Sequence, residues 1–264
     1  MPGNSGLDGE TSGEWTQARA DLLAVEEPLE VRVDGEALAV TMRTPGDDID
    51  LAIGYLATEG VVARAADIAT ITLCDANTAD VTLAEGVTLP AGRLRRTSWT
   101  TSACGVCGKD SIDAVRVRAR YDVASDPAPV SAAVLAGLPA TMRDTQRVFH
   151  QTGGLHAAGL FRTDGTLIAV REDVGRHNAV DKLAGWGLRE GQLPLAGCVL
   201  LVSGRASFEL VQKALVVGIP VLAAVSAPSS LAVELAEESG MTLVGFLRGD
   251  GMNVYSGGHR LTAG

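Results

Sequence analysis

The second half of the chain alternates short, unbroken apolar runs with amphipathic stretches, and few folds accept that order. Leu167–Val170, Cys198–Val202, Val221–Val225 and Met241–Leu247 carry almost no polar residue. Runs of this length match strands, and a strand apolar on both faces must be covered on both. Between them lie segments of helical spacing. These are Asn178–Trp186, Ser207–Val217, where Phe208, Val211 and Leu215 share a face, and Ser229–Ser239, which closes on Gly240. Strand alternating with helix predicts an α/β layer fold around a largely parallel sheet.

The first half is patterned differently. Leu29, Val31 and Val33 alternate up to Asp34-Gly35, and Leu38, Val40 and Met42 alternate after it, which predicts a β-hairpin. "TPGDDIDLAIGYLATEG" (Thr44–Gly60) follows with a Pro-Gly turn, acidic residues at a helix start and Gly60 as its stop. Strand-like runs come at Ile68–Leu73, Val81–Leu83 and Val115–Tyr121. The turn cluster "SDPAPVS" (Ser125–Ser131) marks a boundary. The expected organisation is a polar, Gly-rich, disordered tail over 1–20, a β-rich part over 21–126 and an α/β domain over 127–264, α+β overall.

Composition excludes several functions. A net charge of −10 leaves no general basic face for nucleic acid or anionic membrane. No apolar run approaches the roughly 20 residues of a membrane helix, and the N-terminal stretch has no signal core. Cys74, Cys104, Cys107 and Cys198 are too few and too scattered for a disulfide scaffold. The expected compartment is the cytoplasm, where thiols stay reduced.

Cys104 and Cys107 stand in "TTSACGVCGKDS" (Thr100–Ser111), each followed by glycine, with Lys109 beyond. A Cys-x-x-Cys pair can hold zinc, exchange electrons or carry a transferred group. Structural zinc needs four ligands, and here Cys74 and Cys198 are isolated, while His150, His156, His177 and His259 show no paired ligand spacing beyond one loose gap. A thioredoxin-type dithiol opens a helix after a strand, whereas this stretch reads as a loop. A nucleophilic thiol on a flexible arm, its ionisation favoured by Lys109 and loop amides, suits group transfer.

Three strand-end loops supply candidate ligand groups. "IAVREDVGRHNAVDKLAGWG" (Ile168–Gly187) turns at Gly175 into Arg176, His177 and Asn178. "LVSGRASFELVQKA" (Leu201–Ala214) offers Ser203, Gly204 and Arg205, and "GFLRGDGMNVY" (Gly245–Tyr255) offers Arg248. Ligands bind at the carboxyl ends of strands in open α/β sheets, and arginine beside glycine suits an anion. Neither a Walker A loop nor a G-x-G-x-x-G fingerprint is present.

Together with "SAPSSLAVELA", these segments resemble, in order from Arg43 to Tyr255, the formate dehydrogenase accessory sulfurtransferase family, FdhD. The resemblance implies a sulfur carrier. A cysteine desulfurase loads a persulfide onto Cys104, with Cys107 assisting or resolving it. The sulfur then passes to the molybdenum cofactor, the bis(molybdopterin guanine dinucleotide) form, and so activates formate dehydrogenase. The family's cofactor-binding segment maps onto Phe246, Leu247, Arg248, Gly249, Asp250 and Gly251. Many members carry a second basic residue where this chain has Gly251. With Arg176, His177, Gly204 and Arg205, that segment is expected to hold the guanine dinucleotide or GDP. The resemblance also implies a homodimer and a C-terminal domain similar to cytidine deaminases. Zinc deaminases place H-x-E and P-C-x-x-C at two helix starts; "RHNAVDK" and "GRASFELVQK" stand there without the ligand set, so no metal is expected. A second reading, from another class, is a non-catalytic chaperone that only binds and delivers the cofactor.

Overall fold

The computed structural model describes residues 21–89, 119–249 and 251–262. The predicted hairpin forms from β1 (Glu27–Val33) and β2 (Glu36–Arg43). Its turn places Asp34 and Gly35 at φ 52° and 82°, the left-handed pair that a two-residue hairpin requires and Asp-Gly tolerates. Helix α1 (Asp48–Thr58) is followed by β3 (Ile68–Asp75) and β4 (Thr78–Leu83). The four strands lie in the order β2-β1-β4-β3. Leu51, Ile53 and Leu56 of α1 share a core with Leu29, Val31, Val33 and Val81.

Past the turn cluster, β5 (Val130–Ser131) leads into α2 (Ala132–Thr145) and α3 (Arg147–Thr152). The sequence pattern had marked none of these three. A six-stranded sheet follows, made of β6 (His156–Arg162), β7 (Leu167–Asp173), β8 (Cys198–Val202), β9 (Val221–Ala224), β10 (Thr242–Arg248) and β11 (Gly251–Ser256). Its helices are α4 (Arg176–Arg189), α5 (Phe208–Val216) and α6 (Ser230–Glu238). A closing strand, β12 (Leu261–Thr262), pairs with β5. No helix among the described residues is long and apolar enough to cross a membrane.

The sheet order is β11-β10-β9-β8-β6-β7, and it is mixed rather than largely parallel. Only β8–β9 and β9–β10 are parallel; β6–β7, β6–β8 and β10–β11 are antiparallel. The reason is connection length. Helices α5 and α6 are long enough to return the chain for parallel pairing, whereas the short links β6–β7 and β10–β11 permit only hairpins. Of the expected strand Val115–Tyr121, residues 119–121 are not strand and the rest lies outside the described residues.

Alternate residues of the central strands face two different cores. Leu160, Leu200, Val202, Leu222 and Leu243 pack with Val180, Leu183, Leu210 and Val211 of α4 and α5. Phe161, Val199, Leu201, Val221 and Val244 pack with Leu135, Leu138 and Met142 of α2. Each such side chain contributes about 1.5–3 kcal/mol on burial, so covering both faces explains why these strands read as unbroken apolar runs.

Helices α1 and α4 join the two sheets by nearly touching backbones. A Cβ on Gly54 would lie 1.8 Å from the Asp181 carbonyl oxygen, and one on Gly185 would lie 1.8 Å from that of Asp50. The turn cluster is tied down as well. Buried Arg260 donates to the carbonyls of Val123, Ala124 and Asp126 at 2.6, 3.2 and 2.8 Å.

Because β7 and β8 both run antiparallel to β6, strands β7, β8, β9 and β10 all point the same way. Their carboxyl ends, and the start of β6, emerge along one rim of the sheet.

Candidate functional site

The three strand-end loops singled out in the sequence meet on that rim. Arg176 and His177 open α4 after β7, Gly204 and Arg205 follow β8, and Phe246, Leu247, Arg248 and Gly249 end the β10 segment, with Gly251 opening β11. Hydrogen bonds stitch the loops together in order. Ala157 N donates to Ser203 Oγ at 2.9 Å, Ser226 N to the Gly204 carbonyl at 3.3 Å, and Phe246 N to the Ser226 carbonyl at 3.1 Å. Arg248 Nε donates to the Val225 carbonyl at 3.0 Å.

The end of β10 is bent. Its register against β11 shifts between Gly245 and Arg248, and Phe246 sits at φ 52°, a left-handed conformation for a bulky residue. Such strain costs on the order of 1–3 kcal/mol and persists where surrounding structure enforces it. Here the bulge sends Leu247 fully inside and leaves Phe246 exposed beside exposed Arg248. Gly245 permits the close pass, since a Cβ there would lie 2.9 Å from Pro228 Cδ. Asp250 lies outside the described residues.

Most of "REDVGRHNAVDK" turns inward instead of toward a ligand. Glu172 accepts from the Val148 and Phe149 amides at 3.1 and 2.9 Å, capping α3. Buried Asp173 accepts from the amides of Thr44 (3.1 Å) and Gly175 (2.8 Å) and from Asn178 Nδ2 (3.0 Å), and pairs with Lys182 at 2.9 Å. Asn178 also donates to the Met42 carbonyl at 2.7 Å, and Lys182 to that of Thr44 at 2.8 Å. Arg171 reaches Asp50 at 3.0 Å. These bonds lock the α4 start onto the end of β2 and the loop before α1. Arg176 and His177 are the motif's two candidates that remain at the rim.

His177 Nε2 lies 3.0 Å from Glu209 Oε2 and 3.4 Å from Ser207 Oγ, so the starts of α4 and α5 are joined by a buried imidazole–carboxylate contact. Sequence reasoning gave Glu209 no part in holding the ligand; its place in the first turn of α5 was the only available signal. Among the described residues, no three His, Cys, Asp or Glu side chains gather closely enough to hold a metal ion.

His156 is the rim residue that the sequence missed. It is half-buried, and its pKa is lowered by burial first, then by the neighbouring charges of Arg176 and His177, with Asp173 opposing. Cys104, Cys107 and Lys109 lie outside the described residues.

Residues 24–262 match the model of the FdhD/NarQ family, nearly the whole chain. This chain belongs to the FdhD/NarQ family. FdhD relatives are correspondingly similar. The chain is 58% identical over 253 residues to the sulfur carrier protein FdhD of Mycolicibacterium paratuberculosis, covering 92% of this chain and 93% of that one. It is 58% identical to the sulfur carrier protein FdhD of Streptomyces coelicolor over 253 residues, covering 92% and 90%. Among solved structures, a putative formate dehydrogenase accessory protein from Desulfotalea psychrophila superposes with a TM-score of 0.73 at 24% identity, covering 92% of this chain and 91% of that chain. At that identity, the likeness supports the shared fold.

Proposed function

We propose that this chain is a sulfurtransferase that carries sulfur on Cys104 as a persulfide and delivers it to the molybdenum cofactor of formate dehydrogenase. The observation that carries the reading is the 58% identity, across more than nine-tenths of the chain, to proteins named sulfur carriers, joined to the chain's own Cys104-x-x-Cys107. Loading needs only thiol exchange. The Cys104 thiolate attacks the terminal sulfur of a cysteine desulfurase persulfide, and the desulfurase thiolate leaves. In delivery, the Cys107 thiolate attacks Cys104 Sγ, and the terminal sulfur departs as sulfide toward molybdenum. Oxidation of the two cysteines to the Cys104–Cys107 disulfide supplies the two electrons that release the sulfur as sulfide, and a thiol reductant resets the pair.

The cofactor is cargo in this scheme, and the rim suits its handle. Arg176, Arg205 and Arg248 stand among strand ends in the arrangement that receives phosphates in α/β sheets. Bis(molybdopterin guanine dinucleotide), or GDP as a fragment of it, would lie there with its diphosphate against Gly204 and Gly249. The setting is the cytoplasm, and the working form is a homodimer.

Reconstitution with a desulfurase, the cofactor and apo formate dehydrogenase tests the scheme. Cys104→Ala is expected to abolish activation, and Cys107→Ala to slow it, because the thiol reductant must then attack Cys104 Sγ in its place. Activation at the wild-type level by Cys104→Ala would leave only a cofactor-delivering chaperone.

A further inference from the structure

His156 is the titratable rim group that sulfur transfer leaves unused. It pairs in register with Asp173 at the end of β7, and the next residue, Ala157, bonds to Ser203 at the end of β8. The imidazole therefore sits between the two loops that carry Arg176 and Gly204. A Cβ built on Gly204 would lie 3.4 Å from the ring's Cε1 and Nδ1 and 3.9 Å from Arg176 Cδ. The missing side chain leaves an opening that both the imidazole and the arginine stem border. Among the described residues, no hydrogen bond reaches the His156 ring.

The charged surroundings of this ring are specific. Arg176 and His177 face it from α4 and Asp173 from β7, while Glu209 of α5 is engaged by His177. Two of the three facing groups disfavour a second cation, and burial acts in the same direction.

We infer that His156 is the proton-accepting wall of a phosphate subsite that it forms with Arg176 across Gly204. The inference rests on the nucleotide reading above and specifies which groups meet the phosphate. A phosphate dianion entering the opening reverses the sign of the local field. The neutral imidazole then takes one proton from solvent and donates the resulting N–H to a phosphate oxygen. Binding is thereby coupled to proton uptake. A merely structural histidine, shielded from the ligand, would take up no proton.

Calorimetry with GDP as the probe, near pH 7 in two buffers of different ionisation enthalpy, measures the coupling directly. The wild-type chain is expected to absorb on the order of half a proton or more per GDP, since the ring starts neutral and ends charged. The terminal phosphate of GDP titrates near pH ~6 itself, so His156→Gln supplies the baseline. That variant should bind GDP several-fold more weakly near pH 6, with the uptake gone. Gly204→Ala, whose methyl makes only ordinary contacts but fills the opening, should keep its circular-dichroism melt and weaken GDP several-fold. GDP binding with no proton uptake, uptake that survives in His156→Gln, or unchanged affinity in Gly204→Ala would each overturn the inference alone. No GDP binding by the wild-type chain would overturn the nucleotide reading and this inference with it.

Discussion

Lys213→Met should destabilise the protein far more than removing both members of its ion pair. Lys213 Nζ lies 2.7 and 2.9 Å from the two Asp181 oxygens and 2.9 Å from Thr58 Oγ1, and Thr58 in turn donates to Asp181 at 2.6 Å. All three residues are buried where α1, α4 and α5 meet. Burial alone would lower the Lys213 pKa, but the Asp181 carboxylate more than restores it, so the ammonium stays charged. Deleting that cation strands a carboxylate in the core, which costs about 3–5 kcal/mol. For a chain of this size the melting temperature should fall by about 6 to 20 °C, at ~2–4 °C per kcal/mol. Asp181→Leu combined with Lys213→Met removes both charges and should regain most of the loss, with the Thr58 hydroxyl free to donate its proton to the Tyr55 carbonyl instead. Urea melts followed by circular dichroism would compare the three proteins at equal m-values. A single-variant cost below about 1 kcal/mol, or a double variant no more stable than the single, would refute the reasoning.

Three further outcomes follow. Gly54→Ala drives a methyl to 1.8 Å from the Asp181 carbonyl oxygen, so α1 and α4 must part and stability should drop by at least about 1–3 kcal/mol; an unchanged urea midpoint would contradict the close crossing. Because the His156 pKa is held below the ordinary 6.5, the unfolded chain binds that proton more tightly, and this residue lowers stability as pH falls below 6.5. His156→Gln should remove that acid-side loss between about pH 7 and pH 5, and parallel pH profiles of the urea midpoints would contradict it. Arg248→Ala should weaken GDP about tenfold or more, since a hydrogen bond to a charged group is worth about 1.5–3 kcal/mol and ~1.4 kcal/mol is one decade; unchanged affinity by calorimetry would remove Arg248 from the site.

Periodicity made the hairpin, α1 and the strand–helix alternation of the second half legible, because each rests on local spacing that burial then rewards. Strand direction was not legible. Whether β6 pairs parallel or antiparallel depends on a short link to β7, and β6, "HAAGLFR", is broken by Gly159, which weakens any strand signal. Helix α2 was hidden by Pro139 in its middle. At the site, the sequence placed Arg176, Gly204 and Arg248 at strand ends, and the sheet brings those ends onto one rim. It did not separate rim residues from joint residues within one motif. Asp173, Asn178 and Lys182 look as ligand-ready as Arg176 until the loop at Thr44 is seen to consume them. Likewise, the proximity of Glu209 to His177 and of His156 to Arg176 is set by tertiary packing between elements far apart in sequence.

The central claim is that Cys104 carries sulfur, and intact-mass analysis tests it most directly. After incubation of the full chain with a cysteine desulfurase and cysteine, the mass should rise by about 32 Da, the mass of one sulfur atom, and return on treatment with a thiol reductant. Peptide mapping should place the added sulfur on the peptide containing Cys104, and Cys104→Ala should abolish the gain. An unchanged wild-type mass with an active desulfurase, or an added sulfur that persists in Cys104→Ala, would contradict the account.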